Sequence, residues 1–400
     1  FLSLLQQENQ EGHARKFLVV CPTSVIDHWF DKIETYAPNL SPIKYHGNER
    51  HVSLKNIQTH HVVITTYGIL LRDIEILKTK TWYAIVLDEA HIVKNHKTAS
   101  YRAACSLPST VRLCLTGTPL ENSLSELKNL FDFLVPGYLG SNKFFHKNFM
   151  VPISQHQDYK KELLLQNLIH PLKLRRTKKE VLKELPEKII DKRYCQLSKK
   201  QAELYQQILQ QQANPLLDEI AQKEKTISFL HILTVLQKLK QVANHPALLL
   251  QDEQYENYES GKFNLLKDLL SEAVSSKQKV VVFSQYVHMI RIIESYCFKQ
   301  NIRCITLTGQ SKNRGSIIKD FQTNPEIKVF AASLLAGGTG IDLTAASVVI
   351  HYDRWWNATK ERQATDRVHR IGQNKSVQVF KLITKGTLEE KIDSLISKKS

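Results

Sequence analysis

The stretch YAIVLDEAHIVKN, residues 83–95, joins an apolar run typical of a buried strand to two adjacent carboxylates and a histidine. Val86 and Leu87 are expected inside a sheet, and Asp88 and Glu89 follow where the strand should emerge at its carboxyl end. Open α/β sheets bind their ligands at that edge. The stretch therefore predicts an α/β fold with chemistry at the end of this strand.

Apolar runs of the same kind recur along the chain. KFLVVCP, HHVVITTY and RLCLTGTP lie near this strand and alternate with helical patterns such as SVIDHWFDKIETYA, which indicates a parallel sheet. Helical spacing replaces the alternation from about residue 135 to residue 262, and strands resume in QKVVVFSQY, IRCITLTG, KVFAASL, SVVIHYD and VQVFKLI. We expect two α/β lobes, residues 1–137 and 262–400, joined by a helical bridge, residues 138–261. The cleft between two lobes is the default ligand site.

The charge of the chain narrows the class of partner. Lys and Arg outnumber Asp and Glu by 55 to 39, a formal net charge of +16. Such a charge favours a polyanion such as nucleic acid, with an anionic membrane surface as the alternative. No apolar run approaches the roughly 18 residues that span a bilayer, and no amino-terminal signal pattern is visible. We therefore expect an intracellular protein with no membrane partner.

Asp88 and Glu89 have two interpretations. At a strand end, one carboxylate can hold Mg²⁺ directly or through water while the other orients an attacking water, as in enzymes that cleave phosphates. Alternatively, Asp88 is only the N-cap of a helix that begins in EAHIVKN.

Two further strand ends carry small polar residues. LTGTPLEN, residues 115–122, places Thr116 and Thr118 around Gly117, an arrangement suited to sensing a phosphate, although a plain turn into a helix at Pro119 explains it as well. LLAGGTGIDLTAA, residues 334–346, supplies glycines whose backbone amides can approach a phosphate closely.

Basic and aromatic residues follow later in the chain. In ATDRVHRIGQ, residues 364–373, Arg367 and Arg370 share one helix face and could act as arginine fingers, and the alternative is a solvated basic face. Residues 170–188 concentrate lysine and arginine, including Arg175 and Arg176, which suits DNA phosphates. In RWWN, residues 354–357, packing is expected for at least one tryptophan, with base stacking as the alternative.

The motifs DEAH, LTGTPLEN, LRRTKKEV, FSQY, AGGTGIDLTAA, WWN and DRVHRIGQ, in this order, resemble the Swi/Snf-type branch of superfamily 2 ATPases over essentially the whole chain. The resemblance implies two RecA-like lobes that bind ATP between them and double-stranded DNA across them. It also implies translocation along the duplex without separation of the strands.

The resemblance assigns roles to individual residues. Asp88 and Glu89 would hold Mg²⁺, partly through water, and activate the attacking water, with Arg367 and Arg370 as arginine fingers. Further residues would lie at the nucleotide: His91, Thr116, Gly117, Thr118, Gly340, Asp342 and Gln363. By the resemblance, DNA contacts would come from Pro22, Thr23, Thr66, Ser284, Gly338 and Thr339, and the charge and aromatic patterns above add Arg175, Arg176 and Trp355.

The chain departs from the family pattern at two places. The Gly-Lys-Thr phosphate loop is missing, since of fourteen glycines only Gly261 precedes a lysine. We expect that the chain is a fragment cut just before Phe1, and that it hydrolyses no useful amount of ATP by itself. The second departure is Leu335 with Asp342, where the family usually shows lysine and asparagine.

Three functions compete at this stage. The leading hypothesis is an ATP-dependent double-stranded DNA translocase that remodels protein–DNA complexes, with RNA polymerase or nucleosomes as candidate protein partners. The alternatives are a degenerate DNA-binding scaffold that does not hydrolyse ATP and a helicase that separates strands. The short helical bridge favours a bacterial protein of the cytoplasm, associated with the nucleoid; a eukaryotic source would make it nuclear.

Overall fold

The computed structural model describes residues 15–47, 59–117, 124–176, 185–214, 229–334 and 341–399, together with residues 7, 50 and 57. The chain forms two compact units, Phe1–Val181 and Leu182–Ser400. Each unit is built on its own parallel sheet, so the predicted α/β class with two parallel-sheet lobes is confirmed. The three-part division into residues 1–137, 138–261 and 262–400 stays a prediction.

The first unit contains a five-stranded parallel sheet with the strand order β2-β3-β1-β4-β5. Its strands are β1 Phe17–Cys21, β2 Pro42–Lys44, β3 Val62–Thr66, β4 Trp82–Asp88 and β5 Ser109–Leu115. Every residue of β1 and β3 is buried, as expected for central strands that are covered on both faces. Only β2 was not foreseen from the sequence.

Helices cover both faces of the first sheet. The helix Ile26–Tyr36, predicted from its periodicity, turns Ile26 and Ile33 into the core beside β1. The other helices are Tyr67–Arg72, Ile74–Lys78, Ala99–Ser106, Leu124–Leu134, Asn142–Phe145, Val151–His156 and Tyr159–Ile169, with 3-10 turns at Thr23–Val25, Ala90–Val93 and His170–Leu172 and a π turn at His146–Met150.

The second unit contains a six-stranded parallel sheet with the order β6-β11-β10-β7-β9-β8. Its strands are β6 Lys188–Cys195, β7 Val280–Ser284, β8 Cys304–Leu307, β9 Val329–Ser333, β10 Val348–His351 and β11 Val377–Thr384. The helices are Lys199–Ile208, Phe229–Asn244, Pro246–Leu250, Gly261–Ser275, Val287–Lys299, Arg314–Thr323, Ala358–Thr365 and Leu388–Lys399, with a 3-10 turn at Tyr255–Asn257 and a π turn at Leu209–Ala213. No helix in the described ranges is long and apolar enough to cross a membrane.

Strand β6 corrects one prediction. The strand alternation was expected to stop between about residues 135 and 262, but β6 lies inside that stretch and pairs with β11 over eight residues. The sequence of β6, KIIDKRYC, is half charged, and its side chains are largely exposed. An edge strand of this kind lacks the continuous apolar run by which buried parallel strands are recognised.

Candidate active site

The carboxyl ends of four strands meet at one edge of the first sheet. Cys21 at the end of β1 lies beside Thr66 at the end of β3, and Asp88 at the end of β4 lies beside Leu115 at the end of β5. The register between β1 and β4 pairs Val20 with Leu87, so all four strands end at the same level. This edge is where the sequence predicted chemistry.

Asp88 is held in place by three hydrogen bonds. The indole N–H of Trp29 donates to its Oδ2 atom at 2.8 Å, and the peptide N–H of Glu89 donates to its Oδ1 atom at 2.9 Å. The hydroxyl of Tyr67 donates to the backbone carbonyl of Asp88 at 2.7 Å. Burial raises the pKa of the Tyr67 phenol, so the hydroxyl stays protonated and can donate. The Asp88 carboxylate therefore has a fixed orientation.

Glu89 adopts a left-handed backbone conformation, with φ 51° and ψ 49°. This conformation costs a residue other than glycine about 1 kcal/mol or more, and such strain is concentrated at functional sites. It turns the chain sharply at the end of β4 and places the Glu89 Oε2 atom 3.2 Å from His91 Nδ1. The glutamate side chain is 15% exposed, so it remains within reach of solvent and ligand.

The N-cap interpretation of Asp88 does not agree with the geometry. The chain after Glu89 forms only the short 3-10 turn Ala90–Val93, and Glu89 rather than Asp88 precedes it. The Asp88 carboxylate accepts the N–H of the next residue instead of an N–H inside a helix. Asp88 therefore lies at the carboxyl edge of the sheet and is not the N-cap of a helix.

The two carboxylates suit a magnesium ion. Oxygen ligands are those Mg²⁺ prefers, and Mg²⁺ is usually bound by one or two carboxylates together with substrate phosphates and water. Across the described ranges, no three His, Cys, Asp or Glu side chains converge as a metal site. Asp88 and Glu89 supply two carboxylates of the kind that Mg²⁺ binds.

The other predicted residues of the first unit lie around the same edge. Thr116 directly follows Leu115 and is half-buried, and Gly117 is exposed. Thr118 lies outside the described residues. Pro22 and Thr23 follow β1, with the Thr23 side chain exposed.

Three other predicted DNA contacts in this unit, Thr66, Arg175 and Arg176, differ in exposure. Thr66 is 5% exposed, and its hydroxyl caps the next helix by accepting the N–H of Ile69 at 3.3 Å. Arg175 and Arg176 follow the turn His170–Leu172 and are exposed. Of these three residues, only the two arginines carry charge at the surface. All the DNA contacts stay predictions.

In the second unit, the structure brings Arg367, Arg370 and Asp342 together. Arg370 Nη1 forms an ion pair with Asp342 Oδ1. The N–H of Leu343 donates to the carbonyl of Arg367 at 2.9 Å. Gln363 lies in the helix Ala358–Thr365 and is half-buried. The helix ends before Arg367 and Arg370, so the expectation that the two arginines share one helix face is wrong. Gly338, Thr339 and Gly340, with Leu335, lie outside the described residues.

Ser284, at the end of β7, has a partner that the sequence did not reveal. Its hydroxyl donates to Asp353 Oδ2 at 2.5 Å, and the side chain is 1% exposed. Gln285 Nε2 donates to Asp353 Oδ1 at 2.7 Å, and Lys240 Nζ donates to Gln285 Oε1 at 3.0 Å. Burial raises the pKa of the Asp353 carboxyl. Asp353 lies just after β10, much as Asp88 lies at the end of β4, and this placement is the signal that could have identified it.

The two tryptophans of RWWN separate in exposure. Trp355, the predicted DNA contact, packs against the core of the second sheet and donates its backbone N–H to Glu361 Oε1 at 3.0 Å. Trp356 is 49% exposed. The expectation that at least one of the pair packs is confirmed for Trp355.

Gly261 and Lys262 do not form a phosphate loop. Lys262 is fully buried in an ion pair with Glu389, and its Nζ also donates to Asn244 Oδ1 at 2.8 Å. A Cβ atom on Gly261 would lie 1.9 Å from the carbonyl oxygen of Gln196, so the glycine is required by this close backbone approach. The only Gly-Lys pair of residues 1–400 is therefore structural.

Comparisons with known proteins agree with these motifs. The model of the SNF2-related domain matches residues 1–248, and the model of the helicase conserved C-terminal domain matches residues 261–372. YwqA of Bacillus subtilis, which carries the name of an ATP-dependent helicase/translocase, is 39% identical over 393 residues, covering 96% of this chain and 42% of that protein. The TATA-binding protein-associated factor MOT1 of Saccharomyces cerevisiae is 33% identical over 441 residues, covering 96% of this chain and 24% of that protein.

Among solved structures, the Sulfolobus solfataricus SWI2/SNF2 ATPase core in complex with double-stranded DNA is 37% identical, with a TM-score of 0.47, over 99% of this chain and 83% of that one. The chain spans less than half the length of the two curated relatives above. The match of the SNF2-related domain nevertheless extends over more than half of the chain. This chain belongs to the SNF2-related family.

Proposed function

We propose that the protein containing this chain hydrolyses ATP to move along double-stranded DNA and remodel the protein–DNA complexes that it meets. The observation that carries the proposal is the pair Asp88 and Glu89 at the carboxyl edge of the first sheet. The indole of Trp29 orients one carboxylate, and the other belongs to a residue with a left-handed backbone. Membership of the SNF2-related family supports ATP as the nucleotide that is hydrolysed and DNA as the polymer that is bound.

The first unit would supply the groups that activate water. Asp88 would hold Mg²⁺, which when bound neutralises charge on the nucleotide phosphates. Glu89 would accept a proton from the attacking water, since its side chain is partly exposed and its Oε2 atom lies beside the imidazole of His91. Thr116 follows the residue paired with Asp88, a position suited to sensing the phosphate.

The second unit would supply positive charge. Arg367 and Arg370 would stabilise the charge that develops on the transferred phosphoryl group, as arginine fingers do. Arg370 is 29% exposed, so its guanidinium can be reached by a ligand.

DNA would be bound through its phosphates. The net charge of +16 and the exposed Arg175 and Arg176 support binding that tolerates any sequence and weakens with salt. The name of the yeast relative links it to the TATA-binding protein, which supports remodelling of a DNA-bound protein. RNA polymerase and nucleosomes are the candidate targets. We place the protein on the nucleoid in the bacterial cytoplasm, or in the nucleus if its source is eukaryotic.

Turnover and translocation can be tested on the full-length protein. ATP hydrolysis should rise when linear duplex DNA is added. A third strand annealed to the duplex should be displaced in the presence of ATP, because a motor on the duplex collides with it, while a forked duplex should stay paired. DNA binding without hydrolysis would support the scaffold instead, and fork unwinding without a helper protein would support a strand-separating helicase.

A further inference from the structure

Two segments of the second unit are joined beside the predicted arginine fingers. The first runs from Ile341 to Ala346, and the second from Asp366 to Gln373. Leu343 N–H donates to the carbonyl of Arg367 at 2.9 Å. The side-chain amide of Gln373, which is 5% exposed, donates to the carbonyls of Thr344 at 3.1 Å and Ala346 at 2.8 Å. The backbone on both sides of the fingers is thereby fixed to the first segment.

Asp342 is fixed independently from the helix Arg314–Thr323. The amide of Gln322 in that helix donates to the carbonyl of Asp342 at 2.8 Å, and its Oε1 atom accepts the N–H of Ala345 at 2.8 Å. The carboxylate of Asp342 thus projects from a backbone that is held on two sides. A carboxylate on such a backbone can fix the position of a group that binds it.

The group that binds the Asp342 carboxylate is the guanidinium of Arg370. Arg370 Nη1 pairs with Asp342 Oδ1, and the two side chains are 29% and 37% exposed. Within the described part of the chain, the Arg370 guanidinium makes no other hydrogen bond or ion pair. A guanidinium carries five N–H donors in a rigid plane. Pairing through Nη1 restrains one end of the guanidinium, and among the described residues the other N–H donors stay available for another anion.

We propose that Asp342 is a positioning residue for Arg370: it holds the guanidinium through Nη1 and directs the remaining N–H groups toward a nucleotide phosphate. The proposal rests on the proposed ATPase function. A long arginine side chain loses rotamer freedom when it binds, and ordering it beforehand lowers the barrier of the step in which it acts. Asp342 therefore contributes to turnover without touching the substrate.

The ion pair can be tested without nucleotide. Phenylglyoxal modifies arginine, and mass spectrometry of digests reports the rate at Arg370 in the full-length protein. The rate should rise several-fold in Asp342→Ala, because the paired guanidinium becomes free. Asp320→Ala is the matched control, since Asp320 is an exposed carboxylate of the same unit. Equal rates at Arg370 in wild type and Asp342→Ala would overturn the pairing.

Steady-state kinetics then test positioning. Asp342→Ala should lower kcat for ATP about tenfold while KM changes little, because the lost interaction acts in the transition state. In an Arg370→Ala background, Asp342→Ala should have no further effect, and Asp342→Asn, which keeps an acceptor oxygen, should recover part of the loss.

Two outcomes contradict positioning. One is the same tenfold loss in the Arg370→Ala background, which would mean that Asp342 acts elsewhere. The other is a lower KM with no loss of kcat, which would mean that the carboxylate competes with the phosphate for Arg370. A wild-type protein without turnover would count against the proposed function instead, and the modification rates would still decide whether the pair exists.

Discussion

Trp29 donates its indole N–H to the Oδ2 atom of Asp88 at 2.8 Å. The tryptophan lies on the helix Ile26–Tyr36, which packs beside β1, and the aspartate is the last residue of β4. The N–H of Glu89 occupies the other carboxylate oxygen. Helix and strand together therefore fix the orientation of the carboxylate proposed to hold Mg²⁺.

Replacing Trp29 by phenylalanine should reduce kcat for ATP about tenfold, because a hydrogen bond to a charged group contributes about 1.5–3 kcal/mol and about 1.4 kcal/mol is a factor of ten in rate. The ATPase assay should be run below the melting temperature. Trp82→Phe is the matched control, since Trp82 is buried and donates its indole N–H to the carbonyl of Leu77 at 3.0 Å. It should lower stability but not kcat. Equal kcat losses in both variants would contradict the role of Trp29.

The sequence pattern predicted the strands that are buried, but it did not predict the strands that are short or exposed. β1 and β4 contain continuous apolar runs and β3 begins with one, and their position predicted where Asp88 and Glu89 emerge. β2 has only three residues, and β6 is largely exposed, so neither shows that signal. Short or exposed edge strands are defined by their pairing with a neighbour, which a local pattern does not contain.

The contacts of the site were less predictable than its position. Trp29 and Asp88 are 59 residues apart in sequence, and Ser284 and Asp353 are 69 apart. No local spacing relates such residues, because the fold alone brings them together. The motif residues could be named from the sequence, whereas the side chains that orient them could not.

Arg175 and Arg176 provide a test of DNA binding. Substituting both by alanine should weaken duplex binding for all sequences and reduce the slope of log K against log salt by about 0.9 for each phosphate that is no longer neutralised. Fluorescence anisotropy with two unrelated duplexes at several salt concentrations measures both the affinity and its dependence on salt. Lys199 and Lys200, exposed on the second unit, are the control pair. An unchanged slope in the arginine variant would exclude these side chains from the interface.

The buried pair of Lys262 and Glu389 should make the second unit sensitive to the loss of either partner alone. Both side chains are fully buried, and Glu389 also accepts the N–H of Thr384 at 3.0 Å. Glu389→Ala should cost about 3–5 kcal/mol of unfolding free energy, because it leaves a buried charge without its partner. The double variant Lys262→Met, Glu389→Leu should cost less, since it removes both charges.

Urea denaturation measures these differences. The exposed pair of Lys299 and Glu256, 2.7 Å apart, supplies the control, and Glu256→Ala should cost less than about 1 kcal/mol. If Glu389→Ala were no more destabilising than Glu256→Ala, the buried pair would not have the stabilising role assigned to it.

Two buried histidines should make the second unit sensitive to acid. Burial lowers the pKa of His245 and of His351 from 6.5 to about 4 in each case. Between these values the unfolded chain binds protons that the folded chain does not bind. Each histidine therefore makes its full contribution to the free energy of unfolding above pH 6.5. This contribution is lost as the pH falls toward 4, by up to about 1.4 kcal/mol per pH unit for each histidine.

Urea denaturation at pH 7, 6 and 5 gives the slope of stability against pH. His351→Gln should make this slope shallower by the contribution of one histidine, whatever its effect on stability at pH 7. His231→Gln, at an exposed histidine, should leave the slope unchanged. If the slope were the same in wild type and His351→Gln, the assigned pKa shift would be wrong.

The role of Glu89 is tested by ATP hydrolysis of the full-length protein with linear duplex DNA, compared with its Glu89→Gln variant. Gln keeps the shape of the side chain but cannot accept a proton. Glu75→Gln, at a glutamate that is 84% exposed, is the matched control. We expect turnover that duplex DNA stimulates, that Glu75→Gln retains and that Glu89→Gln abolishes while still binding DNA. Normal turnover in Glu89→Gln would contradict the claim that the carboxylates at the end of β4 perform the hydrolysis.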